Sequence, residues 1–142
     1  MKRRKPGRGT AVKHCDKTRM LLVDDEESIR FLFQMILAAD LPDLNIDLAC
    51  NGREALDMFS RGHHAVLLMD LHMPVMDGRS AFEAIRKMCG ERRWQMPSVV
   101  FCTGFVPPEP VARAVEEDAS HCLLAKPVSS RRLIEAIRLR LE

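Results

Sequence analysis

The chain has 142 residues, of which 46% are hydrophobic and 30% charged, and its formal net charge is +2. These values are ordinary for a globular protein, and the length suits one domain, since about 150 residues bury roughly 70% of the surface that the unfolded chain exposes. No run of about 20 apolar residues and no apolar leader is present, which excludes a membrane-spanning helix and a signal peptide and predicts a cytoplasmic protein.

The first residues form a basic segment. Through Arg19 the chain carries eight basic side chains and one acidic side chain, a net charge of +7 that leaves −5 for the remainder. A segment with so few apolar residues cannot build a core, so we predict a disordered tail over residues 1–17 and a folded domain over residues 18–142. This tail is the only segment that we expect to bind nucleic acid, anionic lipid or an acidic partner. The alternative is that the tail serves only to keep the protein in solution.

Apolar runs typical of strands alternate with amphipathic segments typical of helices along the rest of the chain. Five strands alternating with five helices predict an α/β domain with a doubly wound, five-stranded parallel sheet, because right-handed crossovers place helices on both faces. The predicted strands are Met20–Val23, Ile46–Cys50, Ala65–Met69, Ser98–Cys102 and Cys122–Ala125. The predicted helices are Glu26–Ala39, Gly52–Arg61, Arg79–Met88, Glu109–Glu117 and Ser130–Leu141.

Two of these helices carry clear patterns. The apolar residues of the first helix recur at the spacing of one helix face, which predicts that this face packs on the core. The last helix has Ser129 or Ser130 as a candidate N-cap. The predicted core-facing residues of the first helix are Ile29, Leu32, Phe33, Ile36 and Leu37.

Polar side chains follow four of the predicted strands at the point where each strand ends. The third strand ends in Asp70, the fourth is followed by Thr103 and the fifth by Lys126. The acidic run 24–27 follows the first strand. In parallel sheets, ligands and chemistry lie outside the carboxyl ends of the strands, so we expect these groups to meet there. Each group alone also suits a turn, a helix cap or a surface charge.

The combination of groups indicates phosphoryl chemistry. Converging carboxylates repel one another and raise their pKa values unless a cation neutralises them, and Mg²⁺, with Mn²⁺ as a substitute, prefers such oxygen ligands. A lysine and a hydroxyl beside that ion complete a set that binds a phosphoryl group. Asp70 is then the nucleophile, which forms an aspartyl phosphate.

The cysteines and histidines indicate no further site. Five cysteines are scattered without a CxxC pair, and five histidines show no metal-ligand spacing. This pattern predicts neither a disulfide framework nor a zinc site.

Five motifs together resemble the receiver domain of two-component response regulators, over about residues 18–142. They are LLVDDEES (21–28), NGREAL (51–56), LLMDLHMPVMDG (67–78), VVFCTG (99–104) and LLAKP (123–127). The resemblance implies a flavodoxin-like (βα)5 fold with strand order 2-1-3-4-5. It also implies a signalling domain, not an enzyme beyond promoting its own phosphorylation and dephosphorylation. The implied partners are a histidine kinase or histidine phosphotransfer protein and a downstream protein target, with a homodimer as one assembly and no membrane insertion.

The resemblance also implies a role for each site residue. Asp70 is the phosphoacceptor, and Asp25 and Asp70 bind Mg²⁺ together with the main-chain carbonyl of His72. Asp24 acts on the metal mostly through water. Thr103 supplies the switch hydroxyl, and Lys126 forms an ion pair with the phosphoryl group. The peptide bond between Lys126 and Pro127 is expected to be cis. The turn after the third strand is formed by Met73-Pro74 and Met76-Asp77-Gly78, with Gly78 expected to supply backbone freedom.

The chain departs from the family pattern at two places. Leu123 stands where family members commonly carry Tyr or Phe, so the usual aromatic switch is not expected. Pro107, Pro108 and Pro110 stiffen the segment before the fourth helix. The resemblance further implies that His72 and Phe105 flank the site and tune how long the phosphoryl group survives.

Three other functions share parts of this pattern. A flavodoxin-like electron carrier needs a phosphate loop where this chain has Asp24 and Asp25, whose charges repel phosphate. A hydrolase with an aspartyl-phosphate intermediate needs its nucleophile after the first strand, commonly in a DxD pattern, and a substrate cap. The adjacent acids after the first strand and the lack of a cap-sized insertion argue against this function. A receiver-like binding module that works without phosphorylation stays an alternative because of Leu123 and the prolines. Separately, we expect the chain to be either a stand-alone receiver or a fragment of a larger regulator or hybrid kinase.

Overall fold

The structure is a computed structural model that describes residues 12–142. The domain consists of a parallel sheet covered by helices on both faces. The strands are β1 (Asp16–Val23), β2 (Asn45–Ala49), β3 (His64–Asp70), β4 (Ser98–Thr103) and β5 (Cys122–Ala125). The helices are α1 (Glu27–Asp40), α2 (Gly52–Gly62), α3 (Gly78–Arg92), α4 (Glu109–Glu117) and α5 (Ser130–Leu141). The strand order is β2-β1-β3-β4-β5, and all pairs are parallel. The predicted fold and strand order are therefore confirmed.

The two faces of the sheet have separate apolar cores. Every residue of β3 is buried, as expected for the central strand of a parallel sheet. One core packs Phe59 of α2 and Phe82 of α3 against the sheet, together with Val111 of α4. The other core packs Leu37 of α1 and Leu133 of α5 against the opposite face. Among residues 12–142, no helix is both long and apolar enough to cross a bilayer.

The predicted core face of α1 is wrong in one respect. Phe33 and Leu37 are buried as expected, but Leu32 is 47% exposed. Phe31 and Met35 on the same side are 63% and 54% exposed. A helix face that packs on a sheet is narrow, so the apolar residues of α1 divide between the core and an uncharged outer stripe. We call Phe31, Leu32 and Met35 the α1 stripe.

The amino-terminal segment differs from the predicted boundaries. β1 begins at Asp16, four residues before the predicted start, where the Asp16 N–H donates to the carbonyl of His63 at 2.7 Å. Lys13, within the predicted tail, forms a parallel bridge with Trp94. The polar residues 16–19 show no strand pattern, which explains why the sequence did not reveal this extension. The tail prediction for residues 1–11 lies outside the described residues.

The ends of the helices follow the expected chemistry. Ser129 caps α5 by accepting a hydrogen bond from the Arg132 N–H at 3.2 Å, as predicted. Asn51 and Asp77 cap α2 and α3 in the same way. α3 continues four residues beyond the predicted end at Met88, because Cys89 in its last turn is buried against the core.

Candidate functional site

The sheet brings the predicted site residues to one edge. Asp70 and Thr103 are the last residues of the adjacent strands β3 and β4, and Asp24 directly follows β1 on the other side of β3. These three residues are buried, whereas Asp25 is exposed. Backbone pairing of parallel strands therefore places the polar groups together without help from loop conformation.

The three carboxylates form a cluster. One oxygen from each of Asp24, Asp25 and Asp70 lies within 4.8 Å of the others. Burial raises the pKa of the Asp24 carboxyl group, and the charges of Asp70 and Asp25 add to this rise against the opposing effects of the Glu26 N–H and Lys126. The cluster thus carries an excess of negative charge that a cation would relieve.

Lys126 supplies part of the compensating charge. Its Nζ lies 3.1 Å from Oδ2 of Asp70 and 3.7 Å from Oδ2 of Asp24. Partial burial alone would lower the pKa of Lys126, but the hydrogen bond from its ammonium to Asp70 and the charges of both aspartates outweigh burial and raise the pKa. The peptide bond between Lys126 and Pro127 is cis, as expected from the resemblance.

The backbone around Asp70 holds its carboxylate in place. The His72 N–H donates to Asp70 Oδ1 at 3.1 Å, so one carboxylate oxygen faces the backbone and the other faces Lys126. The Gly78 N–H donates to the carbonyl of Leu71 at 3.1 Å and closes the turn. The proposed role of the His72 main-chain carbonyl as a metal ligand stays a prediction.

The reason predicted for Gly78 is wrong. Gly78 has no positive φ, but a Cβ at this position would overlap the carbonyl oxygen of Asp70 and lie 2.9 Å from the Cα of Leu71. Close approach of two backbone segments, and not conformational freedom, therefore requires glycine here. Within this turn, the residue in the left-handed backbone conformation is Val75, with φ of 70°, which is strained for a β-branched residue.

Thr103 is connected to the loop that follows it. Its Oγ1 accepts a hydrogen bond from the Phe105 N–H at 3.1 Å. The ring of Phe105 packs edge-on against His72, with 4.9 Å between the ring centroids and an interplanar angle of 81°. The loops after β3 and β4 therefore touch across the mouth of the site. Leu123, at the usual aromatic position, is half-buried against the core on the side of α3.

Sequence reasoning missed one residue that supports the cluster. The Nη1 of Arg30 in α1 donates to the main-chain carbonyl of Asp24 at 2.6 Å. The Glu26 N–H donates to Asp24 Oδ1 at 2.9 Å. The only available signal was that Arg30 lies one helical turn inside α1, which does not reveal that its side chain turns back toward the sheet.

The residues present fit a hard divalent cation. A carboxylate cluster with two buried members and one exposed member offers oxygen ligands on one side and access to water on the other, as Mg²⁺ requires. No cysteine or histidine side chain belongs to the cluster, which is consistent with a preference for hard ions over zinc or copper.

Comparison with protein families identifies the domain. Residues 20–138 match the model of the response regulator receiver domain. The sensory/regulatory protein RpfC of Xanthomonas campestris pv. campestris is 32% identical over 120 residues, which cover 84% of this chain and 16% of that protein. The response regulator Rre1 of Synechocystis is 37% identical over 84 residues, which cover 59% of this chain and 35% of that protein. The chain thus spans about a third or less of these two relatives.

Solved structures show the same fold. The receiver domain of an HD domain-containing protein from Pseudomonas fluorescens Pf-5 superposes with a TM-score of 0.71 at 25% identity, covering 87% of this chain and 93% of that one. A CheY-like receiver domain protein from Methanospirillum hungatei superposes with a TM-score of 0.71 at 23% identity, covering 92% and 94%. With the family match over most of its length, the chain belongs to the response regulator receiver domain family of two-component systems.

Proposed function

We propose that this receiver domain accepts a phosphoryl group on Asp70 in a Mg²⁺-dependent reaction, from a histidine kinase or a histidine phosphotransfer protein. The observation that carries the proposal is the contact of Asp70 with Lys126 inside the carboxylate cluster. A buried carboxylate with one oxygen bound to an ammonium group and two acidic neighbours has no evident structural purpose, because the cluster opposes folding by charge repulsion and desolvation.

The covalent step follows from the chemistry of the donor. An oxygen of the Asp70 carboxylate attacks the phosphorus of a phosphohistidine, the P–N bond breaks, and the histidine nitrogen leaves with its electron pair and takes up a proton. The product is an aspartyl phosphate. Hydrolysis by water returns the carboxylate and releases inorganic phosphate, which makes the signal reversible.

The surrounding side chains stabilise charge on the transferred group. Lys126, already 3.1 Å from Asp70, pairs with a phosphoryl oxygen once Asp70 is phosphorylated, and the Thr103 hydroxyl donates to another. Asp24, Asp25 and Asp70, with the carbonyl of His72, would hold Mg²⁺, with Mn²⁺ as a substitute. When bound, this ion neutralises the carboxylates and the phosphoryl oxygens.

The α1 stripe supports a protein as the phosphoryl donor. Phe31, Leu32 and Met35 project from the helix that begins three residues after Asp24, so a partner that reaches Asp70 can also cover this apolar surface. Exposed aromatic and methionine side chains are typical of protein interfaces. A small donor such as acetyl phosphate makes no use of this surface.

The proposal is tested by intact mass after incubation with acetyl phosphate and Mg²⁺. We expect a gain of one phosphoryl group, about 80 Da, in the wild type and no gain in Asp70→Asn, because only the carboxylate is a nucleophile. Asp25→Ala should weaken Mg²⁺ binding, measured by calorimetry. Circular dichroism of each variant serves as the folding control, and undiminished labelling of Asp70→Asn would refute the assignment.

A second experiment separates the protein donor from the small donor. With a phosphorylated histidine kinase or phosphotransfer domain, Phe31→Ser/Met35→Ser should take up phosphate more slowly than the wild type, whereas the rate with acetyl phosphate should not change. Equal rates with the protein donor would show that the α1 stripe is not the docking surface.

A binding module that works without phosphorylation is the second candidate. It is favoured by Leu123, since this position lacks the ring through which family members commonly report phosphorylation. The same mass experiment distinguishes the candidates. No gain in wild type that binds Mg²⁺, with rapid hydrolysis excluded by quenching at short times, would favour the binding module.

A further inference from the structure

The main-chain carbonyl of Asp24 is held by a side chain that comes from α1. The Nη1 of Arg30 donates to this carbonyl oxygen at 2.6 Å. Arg30 is the fourth residue of α1 and lies in its first turn, where a positive charge opposes the helix dipole. Since the helix by itself disfavours an arginine at this position, its purpose lies in the groups that the guanidinium contacts.

The guanidinium lies between two loops at the carboxyl edge of the sheet. One is the loop after β1, which contains the Asp24 carbonyl. The other is the loop after β2, because the charge of Arg30 helps to lower the pKa of the Glu54 carboxyl group, after the larger effects of the Cys50 N–H and the Cys50 thiol. The Cys50 N–H donates to Glu54 Oε1 at 2.9 Å. Arg30 is therefore placed where it can hold the segment that carries Asp24 and Asp25 against the start of α2.

Three hydrogen bonds hold Asp24, each at a different group. Its N–H donates to the carbonyl of Ala49 at 3.1 Å, and its Oδ1 accepts from the Glu26 N–H at 2.9 Å. The third bond is the one from Arg30 to the carbonyl oxygen. Among the described residues, this third bond alone is made by the peptide unit between Asp24 and Asp25.

Asp25 has no comparable support of its own. It is exposed, and among residues 12–142 the hydrogen bonds of the carboxylate cluster go to Asp24 and Asp70, with none to the Asp25 carboxylate. The Asp24 carbonyl and the Asp25 nitrogen belong to one planar unit, so a rotation of this unit also changes the direction of the Asp25 side chain. The bond from Arg30 thus limits where the Asp25 carboxylate can lie.

We propose that Arg30 is a positioning residue, which holds the Asp25 carboxylate at the place where it binds Mg²⁺. The inference rests on the proposed function, since that function assigns the metal ion to the carboxylate cluster. Mg²⁺ demands nearly ideal octahedral geometry, so a ligand that wanders binds it poorly. Groups that orient the ligands of a metal ion typically contribute about 10- to 100-fold to its affinity.

The charge of Arg30 has an effect of the opposite sign. A guanidinium near the carboxylate cluster repels a divalent cation, so the charge alone weakens Mg²⁺ binding. If Arg30 acted only through its charge, its removal would strengthen Mg²⁺ binding. If Arg30 positions Asp25, its removal weakens Mg²⁺ binding, and the sign of the change separates the two explanations.

The test is Mg²⁺ binding to the full chain, measured by isothermal titration calorimetry. Arg30→Met lacks both the donor and the charge, and it should raise the Kd for Mg²⁺ by about 10-fold. Arg30→Lys keeps the charge and one donor group and should restore part of the lost affinity. In phosphorylation by acetyl phosphate, the Mg²⁺ concentration that gives half the maximal rate should rise with the Kd, which a general loss of stability would not produce.

The matched control is Arg53→Met. Arg53 lies in the first turn of α2 at the same edge of the sheet, is exposed and forms no ion pair within residues 12–142. This variant makes the same change in charge, and because an exposed charge is screened by salt, it should leave the Kd for Mg²⁺ unchanged or lower it slightly. Circular dichroism checks that each variant folds.

Two outcomes would overturn the proposal while the metal site stands, that is, while the wild type binds Mg²⁺ and Asp25→Ala weakens the binding. They are unchanged or tighter binding in Arg30→Met, and equal weakening in Arg53→Met. If Arg30→Met does not fold, Arg30→Lys decides, because a single ammonium donor holds the carbonyl less firmly and a Kd equal to that of the wild type would overturn the proposal. A wild type without saturable Mg²⁺ binding would instead refute the proposed metal site, and this inference with it.

Discussion

His121 should make the stability of this domain dependent on pH. The side chain is buried, and its Nδ1 accepts a hydrogen bond from the Val99 N–H at 3.0 Å. His121 directly precedes β5, so this bond joins the start of β5 to β4. Burial lowers the pKa of His121, against the charge of Asp118, whose Oδ2 is 3.6 Å from Nε2, while Arg140 and Arg86 lower the pKa further. A protonated ring would also present a donor to the Val99 N–H.

The sign of the effect follows from proton linkage. Because the folded pKa is below the unfolded value of about 6.5, the unfolded state binds more protons as the solution becomes acidic. The contribution of His121 is therefore fully present above about pH 6.5 and is lost as the pH falls toward the folded pKa. Each pH unit in this window removes at most about 1.4 kcal/mol.

Two variants separate the hydrogen bond from the titration. His121→Leu leaves the buried Val99 N–H without a partner and should cost about 1–3 kcal/mol at pH 7.5. His121→Asn retains an acceptor oxygen near the position of Nδ1 and loses only the ring packing against Phe82. Both remove the titrating group, so both should lose less stability than the wild type between pH 7.5 and pH 5.5.

The assay is urea unfolding at the two pH values, followed by circular dichroism. His63 and His64 also have lowered pKa values, each mainly from burial, and remain in both variants, so part of the acid effect should persist. An unchanged acid effect in His121→Leu would refute the argument. A loss of less than about 0.5 kcal/mol in the unfolding free energy of His121→Leu at pH 7.5 would also refute it, because a buried N–H without an acceptor costs more than this.

Three further predictions concern the site and its turn. Gly78→Ala should cost about 1–3 kcal/mol in thermal unfolding, because its Cβ would overlap the Asp70 carbonyl, whereas Gly90→Ala, with no atom within 4 Å, should stabilise α3; equal effects would contradict this reading. Val75→Asn should stabilise the domain by up to about 1 kcal/mol, since it relieves strain at a side chain that is 79% exposed; a lower midpoint in urea would refute it. Lys126→Gln should slow phosphorylation by acetyl phosphate by about 100-fold, measured by intact mass, and an unchanged rate would exclude a role in stabilising charge.

The periodicity of the sequence was sufficient for the architecture and for the location of the site. Alternating strand and helix patterns imply a parallel sheet, and the polar residues after its strands must meet at one edge, because all carboxyl ends of parallel strands lie there. The sequence alone therefore predicted that four side chains lie close together, because their positions depend on strand ends and not on loop conformation. They are Asp24, Asp70, Thr103 and Lys126.

Only the tertiary structure decided which surfaces remain open and why single residues are required. Leu32 matches the apolar pattern of α1 and yet is exposed, because the width of the buried face depends on the sheet beneath it. Gly78 is required by a close backbone contact, and Lys13 joins the folded domain through a bridge to a residue 81 positions away. Such contacts link segments distant in sequence, and no local pattern of side chains records them.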